Sequence, residues 1–268
     1  MEEGLYETFA EQEDRHWWFA GRRDVLRTVM QPHFGVAENS PPKSILDVGC
    51  GTGGMFSLLR EFGDVEGMDA SQTAIAFCRS RFGDDVRLTV GELPECLSAI
   101  GQKDAITAFD VIEHIDDDIG VLREIEKHLV PGGLFVCTVP AYPWLWSRHD
   151  EVNHHKRRYT KKLLLSRLAG AGFQVRFVSH FNAVLLPAIA TVRLMQHVVG
   201  GKRSPRGDFE KTPGILNGLL HGVLSMEALL LRRTTIPFGV SLIAVCEKRA
   251  AGSSSQPLRQ RAGWRSGR

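Results

Sequence analysis

The chain of 268 residues lacks any strong charge imbalance: 33 Lys and Arg against 31 Asp and Glu leave +2. So small an excess does not mark a nucleic-acid groove, and nucleic acid is an unlikely partner. Cysteine pairs at metal or disulfide spacing are missing too. The five cysteines, at 50, 78, 96, 137 and 246, are scattered and odd in number, which suits a reducing, cytoplasmic setting. No window offers ~18 uninterrupted apolar residues, so no membrane-spanning helix is expected. The nearest stretch, 181–199, is broken by Arg193 and His197. Signal or transit peptides are basic, whereas the N-terminus here is acidic, with Glu2, Glu3, Glu7, Glu11, Glu13 and Asp14. There is no internal repeat. One core with additions is the expected organisation at this length.

What the chain does have is a glycine-rich turn. Ile45-Leu46-Asp47-Val48-Gly49-Cys50-Gly51-Thr52-Gly53-Gly54 puts an acid at the end of an apolar strand, then a turn where glycine admits positive φ and close ligand approach. Strand, glycine turn and helix form the cradle for an adenosine cofactor in an open α/β sheet. Gly49-x-Gly51-x-x-Gly54 also fits the dinucleotide fingerprint, a weak pattern alone. Asp47 argues against a pyrophosphate there and for a cationic amino group. Asp69, with Ala70 beside it, ends the next strand, where a carboxylate can accept both ribose hydroxyls.

The alternation continues along the chain. Helix is expected over 4–31, 53–62, 71–81, 117–129 and 160–171. Strands are expected over 44–48, 65–68, 86–90, 105–108, 134–139, 174–179 and 239–247. The spacing predicts a doubly wound, mostly parallel seven-stranded sheet. About sixty residues separate the last two strands, far above ordinary loop lengths. They read as two apolar helices, 183–199 and 214–232, around a Gly/Pro/charged link. The organisation expected is therefore an N-terminal helical segment over 1–42, an α/β domain over 43–249 with a helical insert at 181–236, and a disordered tail from 250 to 268.

On these residues the chain resembles the class I S-adenosylmethionine-dependent methyltransferases, whose first motif reads Asp-x-Gly-x-Gly-x-Gly. The match extends through Gly91-Glu92-Leu93-Pro94, Phe109-Asp110-Val111-Ile112-Glu113-His114-Ile115 and Pro131-Gly132-Gly133. The resemblance implies S-adenosylmethionine as cofactor. Asp47, Gly49, Gly51 and Gly53 would line its methionine part, Asp69 its ribose and Glu92 its adenine, and Asp110 would begin the loop beside the sulfonium. Some relatives, such as ubiquinone-pathway O-methyltransferases and small-RNA 2′-O-methyltransferases, hold a divalent metal on an acid-x-x-acid-His run. By that analogy Asp110, Glu113 and His114 would bind Mg²⁺ or Mn²⁺, with His154 or His155 completing the set. The alternative is that Glu113-His114 only shapes the loop.

Two further clusters lie where an acceptor would bind. The loop Trp144 to Tyr159 holds Trp146, His149, His154, His155, Arg157 and Arg158. A histidine there can deprotonate an acceptor, so His154, His155, neighbouring His114 and Tyr159 are the catalytic candidates. Arg157 and Arg158 could clamp an anion. The second cluster is His16-Trp17-Trp18-Phe19-Ala20-Gly21-Arg22-Arg23. With the charged loop it resembles a bacterial methyltransferase group associated with surface-polysaccharide or lipid pathways. Trp17 and Trp18 would close over the pocket, and Arg22 or Arg23 would meet an anion.

The expected function is methyl transfer to a small or lipid-like, anionic acceptor, O-methylation being the default. C-methylation of a prenyl diphosphate, 2′-O-methylation of small RNA and a non-catalytic S-adenosylmethionine-binding module are the alternatives. The insert helices, flanked by Lys202, Arg203, Arg206, Arg232 and Arg233, suit packing on their own domain, homodimer formation or peripheral contact with a membrane surface.

Overall fold

The structure is a computed structural model and describes residues 10–13, 15–35, 41–199 and 212–249. The expected start of the first helix, most of the link between the insert helices and the expected disordered tail lie outside the described residues.

Seven strands form one sheet: β1 (Lys43–Val48), β2 (Gly63–Asp69), β3 (Arg87–Val90), β4 (Lys103–Phe109), β5 (Leu129–Pro140), β6 (Phe173–Phe181) and β7 (Ser241–Lys248). Their order is β3-β2-β1-β4-β5-β7-β6. Every pairing is parallel except those of β7 with β5 and β6. This is the doubly wound, mostly parallel seven-stranded sheet that the alternation predicts. Strand order reverses between β1 and β4, and ligands of such sheets bind at the carboxyl ends beside that reversal.

The central strands are apolar on both faces because helices cover both. One layer packs Ile45, Ala105, Val136 and Val245 against α1 (Trp17–Phe34) and α2 (Phe56–Leu59) through Val25, Leu26, Met30, Phe34 and Phe56. The other packs Leu46, Ile106, Phe135 and Ala244 against α4 (Asp118–Lys127) and α6 (Lys161–Gly170), through Leu122, Ile125, Leu164 and Leu168. Between these in sequence lie α3 (Gln72–Phe82) and α5 (Arg148–Val152).

Most element boundaries shift from expectation, among them those of two helices and of the insert. The N-terminal helix is interrupted at residues 13, 15 and 16, where His16 caps α1 by accepting the Trp18 N–H on its imidazole. The helix after the glycine turn shrinks to four residues, since 53–55 remain in the turn. The insert supplies α7 (Leu186–Val199) and α8 (Gly214–Leu231). α8 lies along α1. Asn217 Oδ1 accepts from Trp17 N at 2.8 Å, Ser225 and His221 bond Asp24, and a Cβ on Gly21 would strike Leu224 at 2.6 Å. The N-terminal segment is thus part of the domain's own core.

Candidate cofactor and acceptor site

The turn after β1 is built from its glycines. Gly49, Gly51 and Gly53 have φ of 66°, 57° and 84°, a region costly for residues with a Cβ. Their surroundings differ. A Cβ on Gly49 would meet Val111 at 2.4 Å and one on Gly53 would meet Phe82 at 2.6 Å, whereas nothing lies within 4 Å of one on Gly51. Two of the glycines serve packing, and the third opens outward. Beside it, Asp69 Oδ2 accepts the Gly51 N–H at 2.9 Å and Oδ1 accepts the Ser71 N–H at 2.8 Å. Each carboxylate oxygen keeps a further lone pair.

Asp47 is 2% exposed. Burial pushes its carboxyl up to about 7, against the hydrogen bond that Thr107 donates to it at 2.6 Å. Such a group welcomes a cation. Glu92 and Ala70 are exposed at the same end of the sheet, after β3 and β2.

An acid outside any motif also reaches the glycine turn. Glu13 accepts from Thr52 Oγ1 at 2.5 Å and from Arg81 at 2.6 Å, and a Cβ on Gly54 would meet its carboxyl group at 2.6 Å. Nothing in the local sequence around Glu13 signals this, because the contact spans 39 residues.

At the end of β4, Asp110 takes φ 57°, and its carboxylate meets Arg22 at 2.6 Å and Thr138 Oγ1 at 3.1 Å. Arg22 itself is 7% exposed, also donates to Thr138 at 2.8 Å, and its Nε is buried without an acceptor among the described residues. This placement corrects the expected metal set. Asp110 is held by a guanidinium, and the groups that converge are Glu113, His114 and His155, with ligand atoms within 4.8 Å of one another.

Glu113 is fully buried, and neither oxygen of its carboxyl group has a hydrogen-bond partner among the described residues. Burial and the nearby Asp110 charge raise it well above the usual carboxylate range. Burial, then the neighbouring His155, lowers His114 to about 4, so it is neutral at pH 7. The two imidazoles meet edge to face at 4.7 Å. One carboxyl group and two imidazoles fit Zn²⁺ or Mn²⁺ better than Mg²⁺, which favours oxygen donors.

The charged loop is largely committed to itself. Asp150 is 0% exposed and accepts from His155 Nδ1 at 2.9 Å, Arg158 Nε at 2.7 Å and Ser147 N at 2.8 Å. Burial alone would raise its carboxyl group, but the His155 and Arg158 hydrogen bonds and the Arg158 charge hold it well below the usual range. Arg158 also donates to the Ala141 carbonyl, and Arg157 is bound to the Asp116 carbonyl and the Asp118 carboxylate.

The pair is therefore not a free anion clamp, contrary to expectation. Tyr159 is likewise core: fully buried, donating to Asp118 at 2.9 Å, its phenol raised by burial and that bond. It cannot act as a base. His154 is exposed at φ 57°, on the outside of the turn that delivers His155. Trp18 stacks on Phe181 at 6.2 Å and belongs to the core, with Trp17 edge-on to it. Trp146 is half-buried and Trp144 is 59% exposed.

A doubly wound sheet with a glycine cradle and a ribose-type acid at adjacent strand ends defines a class: α/β proteins that bind a nucleoside cofactor at the switch point. Residues 19–182 match the family described as "Methyltransferase domain", more than half of the chain, and the chain belongs to that family. A protein named "Probable S-adenosylmethionine-dependent methyltransferase" from Mycolicibacterium smegmatis is 27% identical over 165 residues, 60% of this chain and 61% of the relative. A ubiquinone biosynthesis O-methyltransferase of Pseudomonas paraeruginosa is 31% identical over 109 residues, 38% of this chain and 46% of the relative. The chain thus spans less than two thirds of either. Among solved structures, a SAM-dependent methyltransferase of Archaeoglobus fulgidus superposes with a TM-score of 0.54 at 15% identity, covering 84% of this chain and 94% of that one. That likeness is one of fold.

Proposed function

We propose that the chain transfers a methyl group from S-adenosylmethionine to a small or lipid-like acceptor, at oxygen. The observation that carries this reading is the outward-opening Gly51 beside Asp69, with buried Asp47 at the end of β1. The cradle fits the cofactor: Asp69 would take the ribose hydroxyls, Asp47 the α-ammonium and Glu92 the adenine amine. S-Adenosylmethionine supplies an already activated methyl group, so the protein's task is alignment and exclusion of water.

His155 is the base in this reading. An ionised Asp150 only accepts hydrogen bonds, so it fixes the proton on His155 Nδ1 and leaves Nε2 for the acceptor's hydroxyl proton. Arg22 is paired with Asp110 and Thr138, as Arg157 and Arg158 are with Asp118 and Asp150, so none of the three stands free as an anion clamp. That loss weakens the prenyl diphosphate alternative.

Titration with S-adenosylhomocysteine, with NADH as control, tests the cofactor. Micromolar one-to-one binding that Asp69→Ala removes is the expected result; binding of NADH instead would overturn it. For the base, His155→Gln should lose turnover while keeping cofactor affinity, and His154→Ala should keep both.

A second reading is favoured by the unbonded Glu113 carboxyl group. Glu113, His114 and His155 would hold a divalent ion, which would polarise the acceptor hydroxyl. Stoichiometric Zn²⁺ or Mn²⁺ binding lost in Glu113→Gln is expected on this reading; metal-free protein with full turnover would exclude it.

A further inference from the structure

One face of α8 has no partner among the described residues. Ile215, Leu219, Met226 and Leu230 are 94%, 66%, 66% and 56% exposed. They recur at intervals of four, seven and four, so they line one side of the helix, with exposed Gly222 between them. At 1.5 Å per residue the stripe runs about 22 Å. Soluble surfaces scatter such residues singly; a continuous stripe marks an interaction site.

The stripe carries no charge and no hydrogen-bonding side chain. The one acid of α8, Glu227, is buried on the other side and accepts from Val184 N at 2.9 Å. Immediately beyond its C-terminus stand exposed Arg232 and Arg233.

We propose that the Ile215-to-Leu230 face of α8 docks on an anionic lipid surface, lying in the interface with Arg232 and Arg233 at the headgroups. Helix α8 is long and apolar enough to cross a bilayer, with mean hydropathy 1.5. It does not cross one here, because its opposite face is bonded to α1 through Asn217, His221 and Ser225. A helix with one apolar face free and the other fixed to its domain lies in the membrane plane. Charge favours lipid over a second copy of the chain. Two α8 helices packed antiparallel about a twofold would bring each arginine pair against the Gly214 end of the other, where α8 offers no carboxylate. Phosphate headgroups supply the missing negative charge. The inference does not depend on methyl transfer.

The test is sedimentation of the full chain with vesicles of phosphatidylcholine alone and of phosphatidylcholine with phosphatidylglycerol. Leu219→Asp, Met226→Asp and Arg232→Gln/Arg233→Gln are compared with wild type. Unchanged melting and S-adenosylhomocysteine titration certify folding, since these side chains face solvent. Wild type should bind the anionic vesicles. Each aspartate should weaken binding at least tenfold, and the double glutamine about tenfold or more. No binding by wild type, or equal binding by all variants, would overturn the proposal. So would a sedimentation-velocity dimer that Leu219→Asp splits without vesicle binding, which would assign the face to a second copy. Equal binding to neutral vesicles would remove the arginines from it.

Discussion

Around the glycine turn after β1, backbone geometry makes a cradle whose carboxylates keep lone pairs unspent. In the 140–159 loop, a denser set of charges closes on itself. Among the described residues, Asp69 accepts from two backbone N–H groups. Asp150 takes up His155, Arg158, Ser147 N and the Arg193 guanidinium. The same residue types thus stay open in one region and serve the fold in the other. Exposure separates Asp69, which is half-exposed, from Asp150, whose buried charge must be paired inside.

The comparison breaks most visibly at Asp150. Replacing it by alanine leaves the Arg158 guanidinium, 4% exposed, without its carboxylate. Removal of one member of a buried pair costs about 3–5 kcal/mol. A urea titration should show that loss at neutral pH; a change under about 1 kcal/mol would mean that the loop is not held by this pair. Asp69→Ala should cost less stability than Asp150→Ala, since the Gly51 and Ser71 N–H groups it leaves are only part-buried. Each hydrogen bond to a charged group contributes about 1.5–3 kcal/mol, so calorimetry should show about a hundredfold or greater loss of S-adenosylhomocysteine affinity.

Within the cradle itself the contrast recurs between two glycines. Gly53→Ala drives a Cβ into Phe82, Phe56 and Cys78, at a cost of about 1–3 kcal/mol in overpacking besides strain from its positive φ. Gly51→Ala meets nothing and carries only the strain, about 1–2 kcal/mol, but places a methyl where the cofactor would lie. Thermal melts should rank Gly53→Ala as less stable, and cofactor titration should rank Gly51→Ala as the weaker binder. The reverse order in both would mean that the turn's open side is not the ligand side.

The sheet and its glycine turn were legible in the sequence because both are local: alternating apolar segments announce the strands, and positive φ demands glycine at fixed spacing. The acceptor side was not legible to the same depth. Arg157, Arg158 and Tyr159 sit in a run that reads as a binding loop, and only contacts to Asp116, Asp118, Asp150 and Ala141 show that they are structural. Those partners lie up to 41 residues away. Glu13 on the glycine turn and Asp150 behind His155 were missed for the same reason, as each acts through residues that no spacing rule connects. Nor does the run itself separate its two histidines: His154 is exposed at φ 57°, whereas His155 bonds Asp150.

The finest test of the cradle is electrostatic. Asp47 has its folded value raised to about 7 from the model-compound 3.8 by burial. Below about pH 7 the folded protein therefore keeps a proton that the unfolded chain releases near pH 4. Proton uptake on folding means that this group's contribution to stability falls as pH rises across that window. A ligand ammonium reverses the preference, because it favours the ionised carboxylate. Affinity for S-adenosylhomocysteine should then rise with pH toward 7 and level off above it, with a limiting slope of tenfold per pH unit below. In Asp47→Asn the slope should vanish and affinity should stay near the wild-type value at low pH. A slope that persists in the variant would transfer the titration to another group and leave Asp47 a packing residue bound to Thr107.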